Sequence, residues 1–413
     1  MLKLVSCSIA AKADDTASIQ TALNSANVTL APGYGTYYVS SLNLNHNLNL
    51  NGNKIACSNS SGGCIIFPTG VKKKKLSNGE VYGASDVYNA SGSSGIRFNS
   101  DSDTVANVKV HRFTYAGIHA PFVSGVVILN SKIYDVYYPV FIINDSAPSY
   151  GHVLVSDTLD NTQLATSVQP QLIIRGGVGD TVYNAVVTKC VFYARLNPTQ
   201  NTCQGTEWRY TKRGVIDGCI FTGGAIGASI VRSDQMTVSN SVFQQQNNEA
   251  VELATTVRST VIQNTIGSQV KIGIRCDYSA TQNIIVNNRI SGCPSPNYSV
   301  SFEVDSHDNA LIGNIISSNY RAIGMLGVHG IKLYNNTFYG GQFAVYVVNS
   351  TGDLKIVGGT INNESNRAVG IYNNTGNKTD YIYMAGVTLS GTASGLNTVF
   401  ANGSTLGTNV KVN

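Results

Sequence analysis

Val238-Ser239-Asn240-Ser241-Val242-Phe243 sets an apolar residue, a polar bend and, five positions after the first, a second apolar residue. The same design returns at Val261 to Ile266, Ile285 to Ile290, Leu333 to Phe338 and Ile356 to Ile361. Followed outward, it places a closing apolar residue at Phe113, Ile133, Leu159, Phe192, Phe221, Phe243, Ile266, Ile290, Ile316, Phe338, Ile361 and Leu389, at intervals of 20 to 33 residues. Helical-hairpin repeats hold their length nearly fixed, whereas these intervals vary and the repeat cores alternate apolar with polar at the period of a strand. Each repeat therefore reads as one coil of a β-solenoid, with the apolar rows inward and the length variation in surface loops. Asn and Gly at the bends suit backbone that needs positive φ.

The bulk composition agrees. Of 413 residues only 12% are charged and 42% are hydrophobic, too apolar for disorder, and a solenoid of this length needs no second core. A formal net charge of +5, with Lys72 to Lys75 as the one dense basic run, gives no broad basic face, so nucleic acid is not an expected partner. No apolar run is long enough for a membrane span. Met1 to Ala13 lacks the apolar core of a secretory signal. Eight Cys do not make a disulfide framework. Cys57 and Cys64 are placed to close a small loop or to remain as thiols, while Cys190 and Cys219, each two before a closing Phe, read as buried and reduced.

In chain order, residues 1–53 form an N-terminal cap. Ile19, Ala22, Leu23 and Ala26 make one face of a short helix over 15–26, which Asp14, Asp15 or Thr16 can cap. Laid across the first coil, that helix covers open strand edges. Residues 54–104 hold the first coils, with a long loop over 67–95. Regular coils fill 105–391, and 392–413 is a terminal coil or subunit-contact tail. The long intervals between Leu159 and Phe221 hold Pro170, Pro198, Cys203 and the sole Trp208, which reads as a binding loop.

The opening helix, then Thr29-Leu-Ala-Pro-Gly-Tyr-Gly-Thr-Tyr-Tyr-Val-Ser-Ser41 and Leu42-Asn-Leu-Asn-His-Asn-Leu-Asn-Leu-Asn-Gly-Asn53, resembles the start of pectate-lyase-like right-handed parallel β-helix proteins of the bacteriophage tailspike and polysaccharide depolymerase type. The resemblance covers about 50 residues by motif and the remainder by coil pattern. It implies an all-β, single-stranded right-handed parallel β-helix with a short N-terminal capping helix. It also implies a homotrimeric virion spike that binds, and in some members cleaves, a host surface polysaccharide, alongside other virion or tail proteins. The Gly-Ala-x-Gly-Asp-Gly segment that commonly precedes Asp-Asp-Thr in such proteins is absent here, which suits a head-binding portion that is missing or on another polypeptide. A stand-alone secreted lyase or hydrolase, and a non-catalytic adhesive solenoid, are the alternatives.

Aligning the inward pairs Ala228/Ile230, Val251/Leu253, Ile272/Ile274, Val300/Phe302 and Ile323/Met325 predicts one outward column with Arg275 beside Glu303 and another with Asp277 beside Asp305. Glu252 lies one outward step earlier, and Tyr278, His307, Asp308 and His329 follow at the corners as substrate-binding residues. Paired carboxylates share a proton, which suits a glycosidase. Asp277 with Asp305 fits the short spacing of about 5 to 5.5 Å in a retaining enzyme, and Glu252 or Glu303 with either Asp fits the roughly 6.5 to 9.5 Å of an inverting one. The lyase alternative has the carboxylates binding calcium while Arg275 acts as base. A purely structural ion pair between Arg275 and Glu303 is the third reading. Arg232, Asp234, Glu249 and Glu252 make a weaker second cluster. Tyr137, Tyr138, Tyr278, Tyr298 and Tyr320 are candidate sugar-stacking residues.

Overall fold

A computed structural model describes residues 3–5, 14–59, 61–84, 92–162, 169–195, 203–267, 269–294, 296–318, 320–348, 353–363, 369–372, 381–391, 399–402 and 410–412. The fold is a parallel β-solenoid of about 13 turns with one short helix. It divides into two units, residues 1–195 with 202–211 and residues 196–201 with 212–413.

In the second unit each coil has three strands. Glu249–Ala254, Thr260–Ile262 and Thr265–Ile266 make one coil, and Ile272–Asp277, Ile284–Val286 and Arg289–Cys293 the next. Strands stack in register with their counterparts, so identical positions form columns. Val238, Val261, Ile285, Leu311 and Leu333 are one such column. Phe221, Phe243, Ile266, Ile290, Ile316 and Phe338 are another. All are buried, and the Phe221 and Phe243 rings stack at 4.6 Å. Each such side chain contributes about 1.5 to 3 kcal/mol by leaving water.

The bend inside the six-residue signature has two parts. Two residues after the first apolar position the backbone turns left-handed, at Asn240, Gln263, Asn287, Gly313 and Asn335, with φ between 50° and 63°. At Gly313 a Cβ would lie 2.4 Å from Asn287 Oδ1, so glycine leaves room for that side chain as well as suiting the left-handed φ. The next residue points inward and polar, giving the buried ladder Ser241, Asn264, Asn288, Asn314, Asn336. Each backbone N–H donates to the side-chain oxygen of the next coil's Asn, from Ser241 to Asn264 at 2.9 Å and onward to Asn336. The corner's buried amides are thereby satisfied without water.

In the first unit the helix spans Thr16–Leu23, shorter than 15–26, with Ile19, Ala22 and Leu23 buried. Asp14 Oδ1 accepts the Thr16 N–H at 2.9 Å, while Asp15 Oδ2 instead accepts from Tyr38 N. The helix also closes a strand edge: the Gln20 amide donates to Asn43 O at 3.0 Å and accepts from Asn43 N at 2.8 Å. The loop expected over 67–95 holds strand Lys75–Gly83, which pairs with Leu48–Asn49, Lys54–Cys57 and Thr104–Pro121. Leu76 and Val81, five apart, are buried there, so this stretch carries the coil signature beneath its Lys, Asn and Gly. Trp208 is likewise no loop residue. It is fully buried in strand Gln204–Arg209, opposite Ile174. The neighbouring stretches 163–168 and 196–202, with Pro198, lie outside the described residues. Seven described Cys are buried, and Cys190 and Cys219 each turn the thiol to the carbonyl two residues back at 3.4 Å.

Candidate functional site

The first strand of each coil in the second unit runs six residues, and its inward columns are Ala228, Val251, Ile274, Val300, Ile323 and Ile230, Leu253, Cys276, Phe302, Met325. The strand Ile272–Asp277 thus sits two residues from the register expected from sequence. Cys276 fills the inward position as a small apolar residue, fully buried. The slip keeps every side chain on its face but changes every neighbour. Arg275 stands between Glu252 and Ser301 in the outward column, rather than beside Glu303.

Arg275 nevertheless gathers the carboxylates. Its Nη1 lies 3.2 Å from Glu249 Oε1, and its Nη2 lies 2.6 Å from Asp277 Oδ2 and 2.9 Å from Glu303 Oε2. Glu249 belongs with Arg275, not with the separate cluster in which sequence placed it. Asp234 of that cluster is bound by Arg258 at 2.7 Å and Lys212 at 3.3 Å. Two serines that the sequence reading passed over complete the site: Ser301 Oγ donates to Glu303 Oε1 at 2.5 Å, and Ser229 Oγ to Glu252 Oε2 at 2.7 Å. Both are outward positions of the same column, a signal that only the correct register exposes.

The site has a buried floor and an accessible rim. Glu249 and Asp277 are closed to solvent, while the side chains of Arg275 and Glu303 remain 24% and 18% exposed. Burial, with help from Glu252, pushes the Glu249 carboxyl up to about 7 against the pull of Arg275. Burial also raises Asp277, opposed by Arg275 and by the Tyr278 N–H that donates to its Oδ1. Burial opposes the Arg275 charge, and Glu303, Asp277 and Glu249 outweigh it, raising its pKa. The floor thus exchanges a proton near neutrality beneath a fixed guanidinium.

Asp305 does not join. It is exposed at the corner past Glu303, with φ of 60° and its N–H donating to Gly327 O, and among the described residues its carboxylate has no ion pair. The expected Asp277–Asp305 pair therefore does not form. His307, Asp308 and His329 make their own corner: the His rings stack at 4.9 Å and His307 Nδ1 lies 3.0 Å from Asp308 Oδ2. Tyr278 is 58% exposed between the two groups. Tyr298 and Tyr320 accept hydrogen bonds from Arg321, whose guanidinium lies 3.5 Å from the Tyr346 ring centre, so they are held as a stacked support. Tyr137 and Tyr138 lie within strand Lys132–Asn144 where it bends, between the Lys132–Tyr134 and Val140–Asn144 ladders and just past the left-handed Asp135.

Solved structures similar to the chain include the surface adhesin PfbA of Streptococcus pneumoniae, 14% identical over 90% of this chain and 88% of that one, with a TM-score of 0.45. The mannuronan C-5 epimerase AlgE6 A-module of Azotobacter vinelandii is 15% identical over 92% and 96%, at 0.46. Tailspike protein 3 of bacteriophage CBA120 is 13% identical over 96% of this chain and 60% of that one, at 0.43. No curated protein matches the sequence significantly. One family model matches twice, at residues 77–292 and 197–391, under the description periplasmic copper-binding protein (NosD). The described residues do not fit a copper centre: among them no three His, Cys, Asp or Glu side chains are placed to hold a metal ion, and the one convergence of carboxylates is filled by the Arg275 guanidinium. Two overlapping placements of one model, spanning most of the coils, are what a repeating solenoid produces, and on them the chain belongs to the NosD family.

Proposed function

We propose that this solenoid binds a glycan outside the cytoplasm, with Glu252, Arg275 and Glu303 as its sugar-contacting residues and Glu249 and Asp277 as positioning residues beneath them. The observation behind the reading is one guanidinium held by three carboxylates, two of them buried, on the outward face of a rigid sheet. Such a rim offers fixed acceptors and a fixed donor to sugar hydroxyls, and a floor that gives or takes a proton near neutral pH.

Of the two cleavage chemistries, the site favours hydrolysis over elimination. Four carboxylates less one guanidinium leave a formal charge of −3, or −2 with Glu249 protonated, which repels a uronate chain. Arg275 already fills the place between the carboxylates that calcium would take, and with three anionic partners it is a poor base. A neutral or amino-sugar glycan is therefore the preferred ligand. No helix among the described residues is long and apolar enough to cross a membrane. A homotrimeric virion spike is the more specific form of this reading, drawn from the resemblance of the opening 50 residues, and sedimentation tests its trimeric state. The site itself is tested by incubating the protein with neutral, amino-sugar and uronate polysaccharides while following reducing ends and absorbance near 235 nm. Reducing ends without absorbance from a non-uronate glycan support the reading; absorbance from a uronate overturns it.

A further inference from the structure

A groove of about 450 Å3 in the first unit follows the left-handed corner of the coils, lined by Asn107, Lys109, Asn130, Lys132, Ser156 and Thr158. The corner makes the concavity: Asn107, Asn130 and Ser156 adopt φ of 56°, 49° and 57°, folding the strands on either side about a hollow. Along one wall runs an outward column in which Lys109 stands opposite Glu80 on one side and Lys132 on the other, followed by Thr158.

Two like charges directly opposite in a parallel ladder are destabilising. Neither is well compensated here. Lys109 has no ion pair among the described residues, and Lys132 reaches Asp160 only at 3.9 Å, lying 4.9 Å over the Tyr134 ring. Glu80, which also borders the groove, is already engaged by Lys54 at 3.3 Å and His111 at 3.1 Å. Two residues along the strands, on the same face, Tyr82, His111 and Tyr134 stack as a ladder at 5.6 and 4.5 Å. A pair of adjacent, exposed cations and a line of amides and hydroxyls along one groove match a chain that is both sugar and anion.

The geometry points to a second binding site, distinct from the Arg275 cluster, in which a carboxylate-bearing oligosaccharide lies across Lys109 and Lys132 with its hydroxyls on Asn107, Asn130, Ser156 and Thr158. This site takes the acidic sugars that the Arg275 cluster repels, and it does not depend on that cluster. Isothermal titration calorimetry at low salt tests it with three probes: hexagalacturonate, cellohexaose and hexaglutamate. The expected result is that hexagalacturonate binds at least roughly tenfold tighter than either control, that K109Q/K132Q lowers its affinity at least roughly tenfold, and that E252Q/E303Q leaves it unchanged. Equal binding of hexaglutamate or cellohexaose, no binding of hexagalacturonate, or a double Lys variant of unchanged affinity overturns it. If K109Q/K132Q does not fold, protection of Lys109 and Lys132 from reductive methylation by hexagalacturonate decides the matter, and modification at the unprotected rate overturns the site.

Discussion

Asn288→Ala removes one rung of the buried ladder, and the structure sets the cost. The Asn288 side chain accepts from Asn264 N at 2.9 Å and Asn264 Nδ2 at 3.0 Å. It donates to Val261 O at 2.8 Å, Val286 O at 3.1 Å and Asn314 Oδ1 at 3.0 Å. Of the groups left behind, Asn314 Oδ1 keeps the Asn288 N–H and Asn264 Nδ2 keeps Val238 O. The Asn264 N–H loses its acceptor and is buried away from water. Five bonds at a few tenths to 1 kcal/mol each, plus one orphaned donor at about 1 to 3 kcal/mol, give a loss of about 2.5 to 8 kcal/mol. Asn240→Gly is the control, because that Asn is exposed, Gly tolerates its left-handed φ of 50°, and its side chain makes one bond, to Asp217 at 2.7 Å; the loss should stay near 1 kcal/mol or below. Urea unfolding followed by tryptophan-independent far-UV dichroism, with hydrogen exchange at the Asn264 amide, measures both. Equal losses for the two variants, or an Asn264 amide as protected in Asn288→Ala as in the parent, refute the reasoning.

Two further perturbations follow from the buried charges. Burial lifts Asp157 to about 7, against the Ser131 and Val155 N–H groups, so the folded state keeps a proton that the unfolded state gives up above about pH 4; stability therefore falls as pH rises toward 7. Asp157→Asn, which puts at this corner the residue the later coils use, should gain about 2 to 4 kcal/mol at pH 8 and little at pH 4, as read by urea midpoints at both pH values. Arg275→Met leaves Glu249, Asp277 and Glu303 facing one another, and should cost about 3 to 5 kcal/mol at pH 8 and less at pH 5, where Glu249 holds its proton; a loss that does not change with pH contradicts the assigned cluster.

The core was legible because its signal is repeated and one-sided. Phe221, Phe243, Ile266, Ile290, Ile316 and Phe338 form the column that their spacing predicts, since a mistake in any one would bury a polar face. The register within a face was not protected in that way. A slip of two residues at Ile272–Asp277 leaves the apolar set inward, and only the inconspicuous Cys276 marks the true position, so Arg275, Asp277 and Asp305 were given the wrong neighbours. Strand Lys75–Gly83 was hidden for the opposite reason: Leu76 and Val81 carry its packing, and the Ser, Asn and Gly between them read as loop although Ser77, Gly79 and Glu80 pair in the ladder. The ladder Asn residues and the left-handed Asn residues adjoin in sequence at Asn287 and Asn288, and composition cannot tell the exposed bend from the buried rung. The resemblance to tailspikes rested on the first 50 residues, whereas the family match begins at residue 77 and runs through the coils.

Glycan binding by the parent protein and by E252Q/E303Q, measured by array and then by calorimetry on the best neutral or amino-sugar ligand, tests the proposed site most directly. Both substitutions keep the side-chain volume and act at the accessible rim, leaving Glu249 and Asp277 in place. A glycan bound by the parent and lost by at least roughly tenfold in the variant, with the melting temperature held, is the expected result. Binding that survives both substitutions, or a parent that binds no neutral or amino-sugar glycan, would contradict it.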